Sequence, residues 1–325
     1  MPIKIPNDLP ARRVLEEEGV EVISEFDAVR QDIRPLRIAL LNLMPDKIRT
    51  ETQIARVVGS TPLQVEMTLL NTGSYQSRNV PERHLIDFYR TWDEVRHEKF
   101  DGLIVTGAPI ETLPFEEVDY WDELTAIFDW AQTHVFRGFH LCWGAQAALH
   151  HYHGVPKYLL DQKLFGIFRH HIVNQGSGLL RGFNDEFSIP VSRHTEVRRE
   201  DIPDKPGLRI LAESPEAGLC LMEDLEHRAV YMFNHLEYDA DTLKREYERD
   251  IEAGAEIQAP KYYFPDDDPS QTPRNQWRAY AHLLFWNWIY EIYENMPHDI
   301  SKIGETGNTA IGQIGQTGQT GQTGS

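Results

Sequence analysis

The chain reads as an α/β protein built on a mostly parallel sheet with helices on both faces. Two observations predict this. Apolar runs of strand length alternate with segments of helical periodicity over the first 150 residues. The runs at Leu36 to Met44 and Phe100 to Thr106 are mostly apolar, as strands covered on both faces require. A third observation concerns the second half. There short strand candidates follow one another between turn residues, so strands and C-terminal helices are added to the first unit.

Residues 1–34 are polar and punctuated by proline, with one short helical stretch around Ala11 to Glu18. They read as an N-terminal arm laid over a core. Leu36 to Met44 gives the first buried strand, ending in the loop Met44-Pro45-Asp46-Lys47; Ile48 to Val58 is helical and closes near Gly59. Leu63 to Leu70 is the second strand. Pro81 opens a helix carrying Leu85, Phe88 and Tyr89 on one face, at a position where its missing N–H costs nothing. Phe100 to Thr106 runs into Gly107-Ala108-Pro109. Asp119 to Val135 is an amphipathic helix with Trp121, Leu124, Ile127, Phe128, Ala131 and Val135 at helical spacing.

Phe139, Leu141 and their neighbours, preceded by Arg137-Gly138, form the next strand, and the helix formers Gly144-Ala145-Gln146-Ala147-Ala148-Leu149 follow it directly, with Cys142 at the turn between them. Further strands are expected at Phe165 to Val173, Phe187 to Val191, Leu208 to Ala212, Gly218 to Met222 and Ala229 to Phe233, the last two as a hairpin. Asp241 to Ala253 and Trp277 to Tyr293 are helical. From about residue 302 the Gly-Gln-Thr repeats cannot bury enough apolar surface to offset ordering. The expected organisation is therefore an arm over 1–34, one body over 35–301 and a disordered tail over 302–325.

Composition narrows the function. At 41% hydrophobic and 26% charged the 325 residues are globular in type, and a net charge of −19 opposes phosphate backbones, so no nucleic-acid partner is expected. No apolar run approaches the roughly 20 residues of a membrane helix, and the N-terminus has no signal-peptide pattern. Cys142 and Cys220 are therefore expected as free thiols in the cytoplasm.

In open parallel sheets a site lies beyond the C-terminal strand ends. Met44 to Lys47, Thr106 to Pro109 and Cys142 all stand at such ends, so these loops should converge. A sharp strand–helix turn would hold the Cys142 thiol out of the sheet and point the N–H groups and positive end of the new helix at it. A nucleophilic cysteine also requires a base and a group orienting that base. Among 14 histidines, His235 stands at the end of the apolar strand Ala229 to Phe233, with Glu237 two residues on and able to face the same side. No histidine pairs with cysteines or carboxylates at zinc-like spacing, so no metal is expected.

These residues resemble a known family. A strand–Cys–helix followed by His-x-Glu at a strand end is the layout of class I glutamine amidotransferase-like enzymes, whose core is flavodoxin-like. The wider match is closer still to the homoserine O-acyltransferases of methionine biosynthesis. It rests on Leu41 to Lys47, Phe100 to Pro109, Cys142-Trp143 and Phe233-Asn234-His235-Leu236-Glu237-Tyr238, and it runs from Met1 to about Pro297. The resemblance implies acyl transfer from acyl-CoA to L-homoserine through an acyl-Cys142 thioester. His235 would be the base and Glu237 its orienting carboxylate; Lys163, Ser192 and Arg249 would bind substrate. It also implies that position 111 tracks the donor, Gly accompanying succinyl and Glu accompanying acetyl; here it is Glu111.

Two departures argue against a glutaminase. His140 stands where glutamine-hydrolysing relatives carry Gly, and Ala108 replaces a second Gly in the oxyanion loop. The expectation is thus a homoserine O-acetyltransferase using acetyl-CoA as co-substrate, with no cofactor and a homodimer as the family's usual state. The alternatives are succinyl transfer, serine as acceptor, or a non-catalytic binding protein on this fold.

Overall fold

The computed structural model describes residues 3–18, 20, 22–23, 34–74, 82–297 and 299–304. In chain order these form β1 (Ile3–Lys4), α1 (Ala11–Glu17), β2 (Val22–Ile23), β3 (Leu36–Leu41), α2 (Lys47–Val58), β4 (Val65–Asn71), α3 (Glu82–Phe88), β5 (Tyr89–Thr91), α4 (Trp92–Val95) and β6 (Phe100–Val105). Then come α5 (Trp121–His134), β7 (Val135–Leu141), α6 (Trp143–His153), β8 (Tyr158–Ile172), β9 (Glu186–Glu196), β10 (Leu208–Ser214), β11 (Gly218–Asp224), β12 (Ala229–Met232), α7 (Thr242–Glu252) and α8 (Arg278–Asn295).

One twelve-stranded sheet runs β2-β1-β4-β3-β6-β7-β12-β11-β10-β8-β9 through these residues, with β5 paired to β4 off that path. Pairings from β2 to β12 are parallel. From β12 to β9 they are antiparallel. The expected fold class therefore holds, and the change of character in the second half is a change of pairing sense within one sheet.

Strand β3 shows why the runs are apolar throughout. Ile38 and Leu40 belong to one core with Ile54, Phe139, Phe285 and Trp288, while Ala39 and Leu41 belong to another with Leu103, Val105, Phe128 and Trp143. Alternate residues point to opposite faces and both faces are covered, so both sets must be apolar. Helix α8 covers one face, with the Phe285 ring 4.8 Å from Phe139 and Trp288 edge-on at 5.5 Å. Helices α5 and α6 cover the other.

Several boundaries move. Tyr89, expected on a helix face, begins β5, and Val135 begins β7, where a β-branched residue fits the pleat. Pro81 lies outside the described residues. Strand β8 starts at Tyr158, seven residues before Phe165, because a register shift between Leu159 and Leu164 breaks the alternation that marks a strand. The arm also does more than lie over the core: β1 pairs in parallel with β4, and Ile3 and Ile5 are buried. At the other end, residues 302–304 remain packed. Ile303 is buried, and the Lys99 ammonium donates to the carbonyls of Ser301 and Ile303. The remainder of the expected tail, from 305, lies outside the described residues. Both cysteines are free and buried, and no helix among the described residues is long and apolar enough to cross a membrane.

Candidate active site

Cys142 occupies the one-residue turn between β7 and α6 with φ 49° and ψ −116°. Such backbone costs a non-glycine residue on the order of 1–3 kcal/mol and persists only where its surroundings enforce it. Here the Cys142 N–H donates to Met232 O at 2.7 Å, fixing it to β12, while its carbonyl accepts from Ala145 and Gln146 at 3.0 and 3.1 Å, starting the helix. Gly144 permits the turn: a Cβ there would lie 2.5 Å from the Thr106 carbonyl oxygen. Gly107 brings the neighbouring loop against the same turn less tightly, since a Cβ there would lie 3.2 Å from Cys142 Cβ and 3.7 Å from Trp143 N. The Trp143 N–H opens α6 and so has no intrahelical acceptor. Together with the Gly107-Ala108 backbone it is positioned to meet an oxyanion formed at Cys142.

His235 arrives from the other side. Its N–H donates to Pro190 O at 3.0 Å, its Nδ1 lies 2.7 Å from Glu237 Oε1, and its ring stacks on Tyr238 at 4.1 Å. Burial alone would disfavour the imidazolium. The charges of Glu237 and of the Cys142 sulfur, with hydrogen bonds to both, outweigh it and raise His235 well above the ordinary histidine range. The three side chains thus form one interacting array, the arrangement that a cysteine nucleophile with a base and an orienting carboxylate would require.

A cavity of about 320 Å³ opens over Cys142 and His235, lined also by Met44, Gly107 to Pro109, Glu111, Thr112, Lys163, Ser192, His194, Tyr238, Glu246 and Arg249. The strand-end loops therefore converge as their positions predicted. Lys47 does not line this cavity. It faces an adjoining one of about 330 Å³ that shares Met44, Ala108 and Pro109. Its ammonium donates to Asn42 O, and burial, partly offset by Glu51, lowers it to about 8.

Lys163, Ser192 and Arg249 do come together, and two carboxylates that the sequence reading missed are the reason. Glu246 Oε2 accepts from Lys163 at 3.1 Å and from Ser192 at 2.5 Å. Asp250 accepts from Lys163 at 3.0 Å and from Arg249 Nη2 at 2.6 Å. Burial disfavours ionised Glu246, but Lys163 and Ser192 more than compensate and hold it below the usual range. The available signal was helical periodicity, because Glu246, Arg249 and Asp250 stand at i, i+3 and i+4 on α7. Arg249 itself is exposed at the rim.

Glu111 points into the cavity. Its Oε2 is buried without a hydrogen-bond partner. Burial raises its carboxyl above the usual range, opposed by the His194 backbone N–H and by the positive charges of His235, Lys163 and Arg193. Thr112 also lines the cavity, whereas Leu113 is exposed.

The only grouping of potential metal ligands among the described residues is elsewhere: His153, Asp224 and His227. Asp224 Oδ2 lies 2.6 Å from His153 Nε2 and 2.7 Å from His227 Nδ1, and accepts from Tyr231 at 3.1 Å. Lys205 Nζ, a donor only, sits 3.4 Å from His153 Nδ1. This places the imidazole proton on Nε2, occupied with Asp224, and leaves no lone pair for a metal there.

The homoserine O-acetyltransferase of Hyphomonas neptunium is 58% identical over 305 residues, 94% of this chain and all of the relative. That of Brucella canis is 56% identical over the same span and coverage. Among solved structures, a glutamine amidotransferase from Thermotoga maritima superposes with TM-score 0.51 at 13% identity, covering 82% of this chain and all of the other. The protein SMU.1228c gives 0.53 at 17%, covering 79% of this chain and all of the other. These distant structures share the fold. The homoserine O-succinyltransferase family model matches residues 2–298, and with relatives of such identity along nearly the whole chain, this protein belongs to that family of homoserine acyltransferases.

Proposed function

We propose that this protein transfers an acetyl group from acetyl-CoA to the hydroxyl of L-homoserine, releasing CoA and O-acetyl-L-homoserine, in methionine biosynthesis in the cytoplasm. The observation that carries the reading is Cys142, bonded into one array with His235 and Glu237 at the floor of a cavity whose wall bears the Glu111 carboxylate.

His235 takes the thiol proton, and the sulfur attacks the acetyl carbonyl. The oxyanion is met by the Trp143 N–H and the Gly107-Ala108 backbone. Collapse expels CoA as thiolate, which receives the proton from His235, and acetyl remains on Cys142. Neutral His235 then takes the homoserine hydroxyl proton as that oxygen attacks the thioester. The second collapse releases the ester and returns the proton to the Cys142–His235 pair. Glu237 holds the imidazole tautomer throughout. Arg249 at the rim suits the amino-acid carboxylate, and Glu246 below it offers a carboxylate to the ammonium.

Acetyl is favoured over the succinyl of the family's name by Glu111. Its side chain stands in the wall where a longer acyl chain would lie, and it supplies no cation to pair with the succinyl carboxylate. Intact-mass measurement after mixing with acetyl-CoA alone should show one acetyl on Cys142, absent in Cys142→Ala. Glu111→Gly should shift the kcat/KM ratio toward succinyl-CoA. No adduct would remove the covalent mechanism; native preference for succinyl-CoA, or an unmoved ratio, would remove the assigned donor.

A further inference from the structure

Directly after Ser192 on β9, Arg193 points to the opposite face of the strand and is 2% exposed. Its Nη1 donates to Asn234 Oδ1 and its Nη2 to Ala217 O, while Nε is buried without a partner. None of the ion pairs among the described residues includes it. A buried guanidinium without a bonded carboxylate is costly and calls for a countercharge.

The hydrogen bonds around it run in one direction. His170 Nδ1 lies 2.9 Å from Phe168 O, so its proton belongs there, and Nε2 accepts from Asn234 Nδ2 at 2.9 Å. That orients the amide, turning Asn234 Oδ1 toward Arg193. Asn234 immediately precedes His235, and β12 before it carries the carbonyl that fixes the Cys142 N–H. Arg193 is thereby tied to both strand ends that carry the reacting groups.

The charged and titratable groups facing it are Cys142, Cys220, Glu196, Glu111 and His170, and those facing Cys142 are His235, Tyr238 and Arg193. Burial keeps His170 neutral, lowering it to about 3. Burial likewise pushes the Cys220 thiol up to about 12 and disfavours ionised Glu111. Glu196 is paired with Arg198 at 3.2 Å, and of the two sulfurs near the guanidinium Cys142 is the one hydrogen-bonded to an imidazole, that of His235, whereas Cys220 is bonded to Asn234.

We propose that Arg193 is the fixed countercharge of the Cys142 thiolate: a positioning residue beneath the cavity that holds the His235 strand end through Asn234 and favours the ionised sulfur. Burial lowers Arg193 from the ordinary arginine value, but a guanidinium keeps its proton at working pH, so its field persists when His235 has given its proton to the departing CoA and the thioester is being formed or broken. This deepens the proposed acyl-transfer reading and rests on Cys142 being its nucleophile.

The test follows the rate of Cys142 alkylation by iodoacetamide against pH in the full chain, with peptide mass spectrometry separating Cys142 from Cys220. Buried Cys220 stays unlabelled while the fold is intact. Arg193→Gln should slow Cys142 alkylation at neutral pH by about tenfold, one unit of displacement of its thiolate limb. Arg193→Lys, which keeps the charge, should restore most of that rate. A folded Arg193→Gln with an unmoved limb, or an Arg193→Lys displaced as far as the glutamine variant, would overturn the proposal. Should Arg193→Gln not fold, His235→Asn decides. With the imidazole gone, a limb still below the ~8.5 of a free thiol supports Arg193 as the source of charge, and one at or above it counts against. The readout is sulfur chemistry, so a protein that alkylates as expected but transfers no acetyl would fail the acyl-transfer reading alone.

Discussion

Two histidine–carboxylate arrays in this molecule are nearly the same at the level of the pair. His235 lies 2.7 Å from Glu237, and His153 lies 2.6 Å from Asp224. The first stands just beyond the end of β12, the second joins the last residue of α6 to the end of β11, and the side chains of both are buried. They differ in what the second imidazole nitrogen meets. In the first array it meets the sulfur of Cys142, a group that can give up a proton. In the second it meets Lys205, which can only donate, and the carboxylate is further saturated by His227 and Tyr231. A carboxylate–histidine pair is therefore not by itself a site. The partner of the free nitrogen decides whether it moves protons or ties a hairpin to a helix.

The largest effect expected from this contrast is on turnover at the first array. His235→Ala should lose at least ~10²-fold in kcat, the lower range for general-base catalysis. Glu237→Gln, which leaves the shape but releases the tautomer, should lose a substantial part of that while melting near the native temperature. Steady-state kinetics with a circular-dichroism melt would check both. Near-normal turnover in His235→Ala would make the two arrays equivalent and dissolve the comparison.

At the second array the expected effect moves from rate to stability. Asp224→Asn should destabilise the fold by about 1–3 kcal/mol, the scale for leaving buried hydrogen-bonding groups without their partner, with turnover per folded molecule unchanged. The pH dependence has a definite sign. Burial disfavours ionised Asp224, but hydrogen bonds from His153 and His227 prevail and hold it far below the usual carboxylate range. Its contribution is thus complete at neutral pH and is lost as pH falls from about 4, where the unfolded carboxyl titrates, toward the lower folded value. Denaturant melts at pH 7 and pH 3 should show the native advantage over the variant shrinking at the lower pH; a constant gap would show that Asp224 is not the titrating group.

The smallest effect is expected at Lys205, which contacts His153 from the surface at 3.4 Å. Lys205→Ala should change stability by no more than ~0.5 kcal/mol, as surface substitutions do. If zinc then raised the melting temperature of this variant and not of the native protein, the lysine would be what keeps the array closed to metal, sharpening the contrast.

Much of the first array was legible before any coordinates. Cys142 was marked by an apolar run meeting helix formers with no room for a loop, and His235 by its place at the end of an apolar strand with Glu237 two residues on. Both signals are local and follow backbone periodicity. Glu246 and Asp250 escaped notice because acidic residues on a polar helix are usually solvated, and only the packing of α7 against β8 and β9 turns them inward onto Lys163 and Ser192. Arg193 escaped for a related reason: alternation places it on the buried face of β9, but neither spacing nor composition says what it meets there. The start of β8 was hidden by its irregular pairing, and the packing of Ile303 by the repeats that begin beside it.

The sequence by itself determined the parallel strand–helix units, the turn that presents Cys142, the histidine and carboxylate at a strand end, and the convergence of three loops. Each is set by chain-local sterics and by the periodicity with which apolar residues must be buried. Tertiary structure alone decided which charges neutralise which. The partners of Lys163 lie 83 and 87 residues away, and Arg193 meets Asn234 across 41. Coulomb energy depends on distance in space and on burial, and the order of residues along the chain records neither.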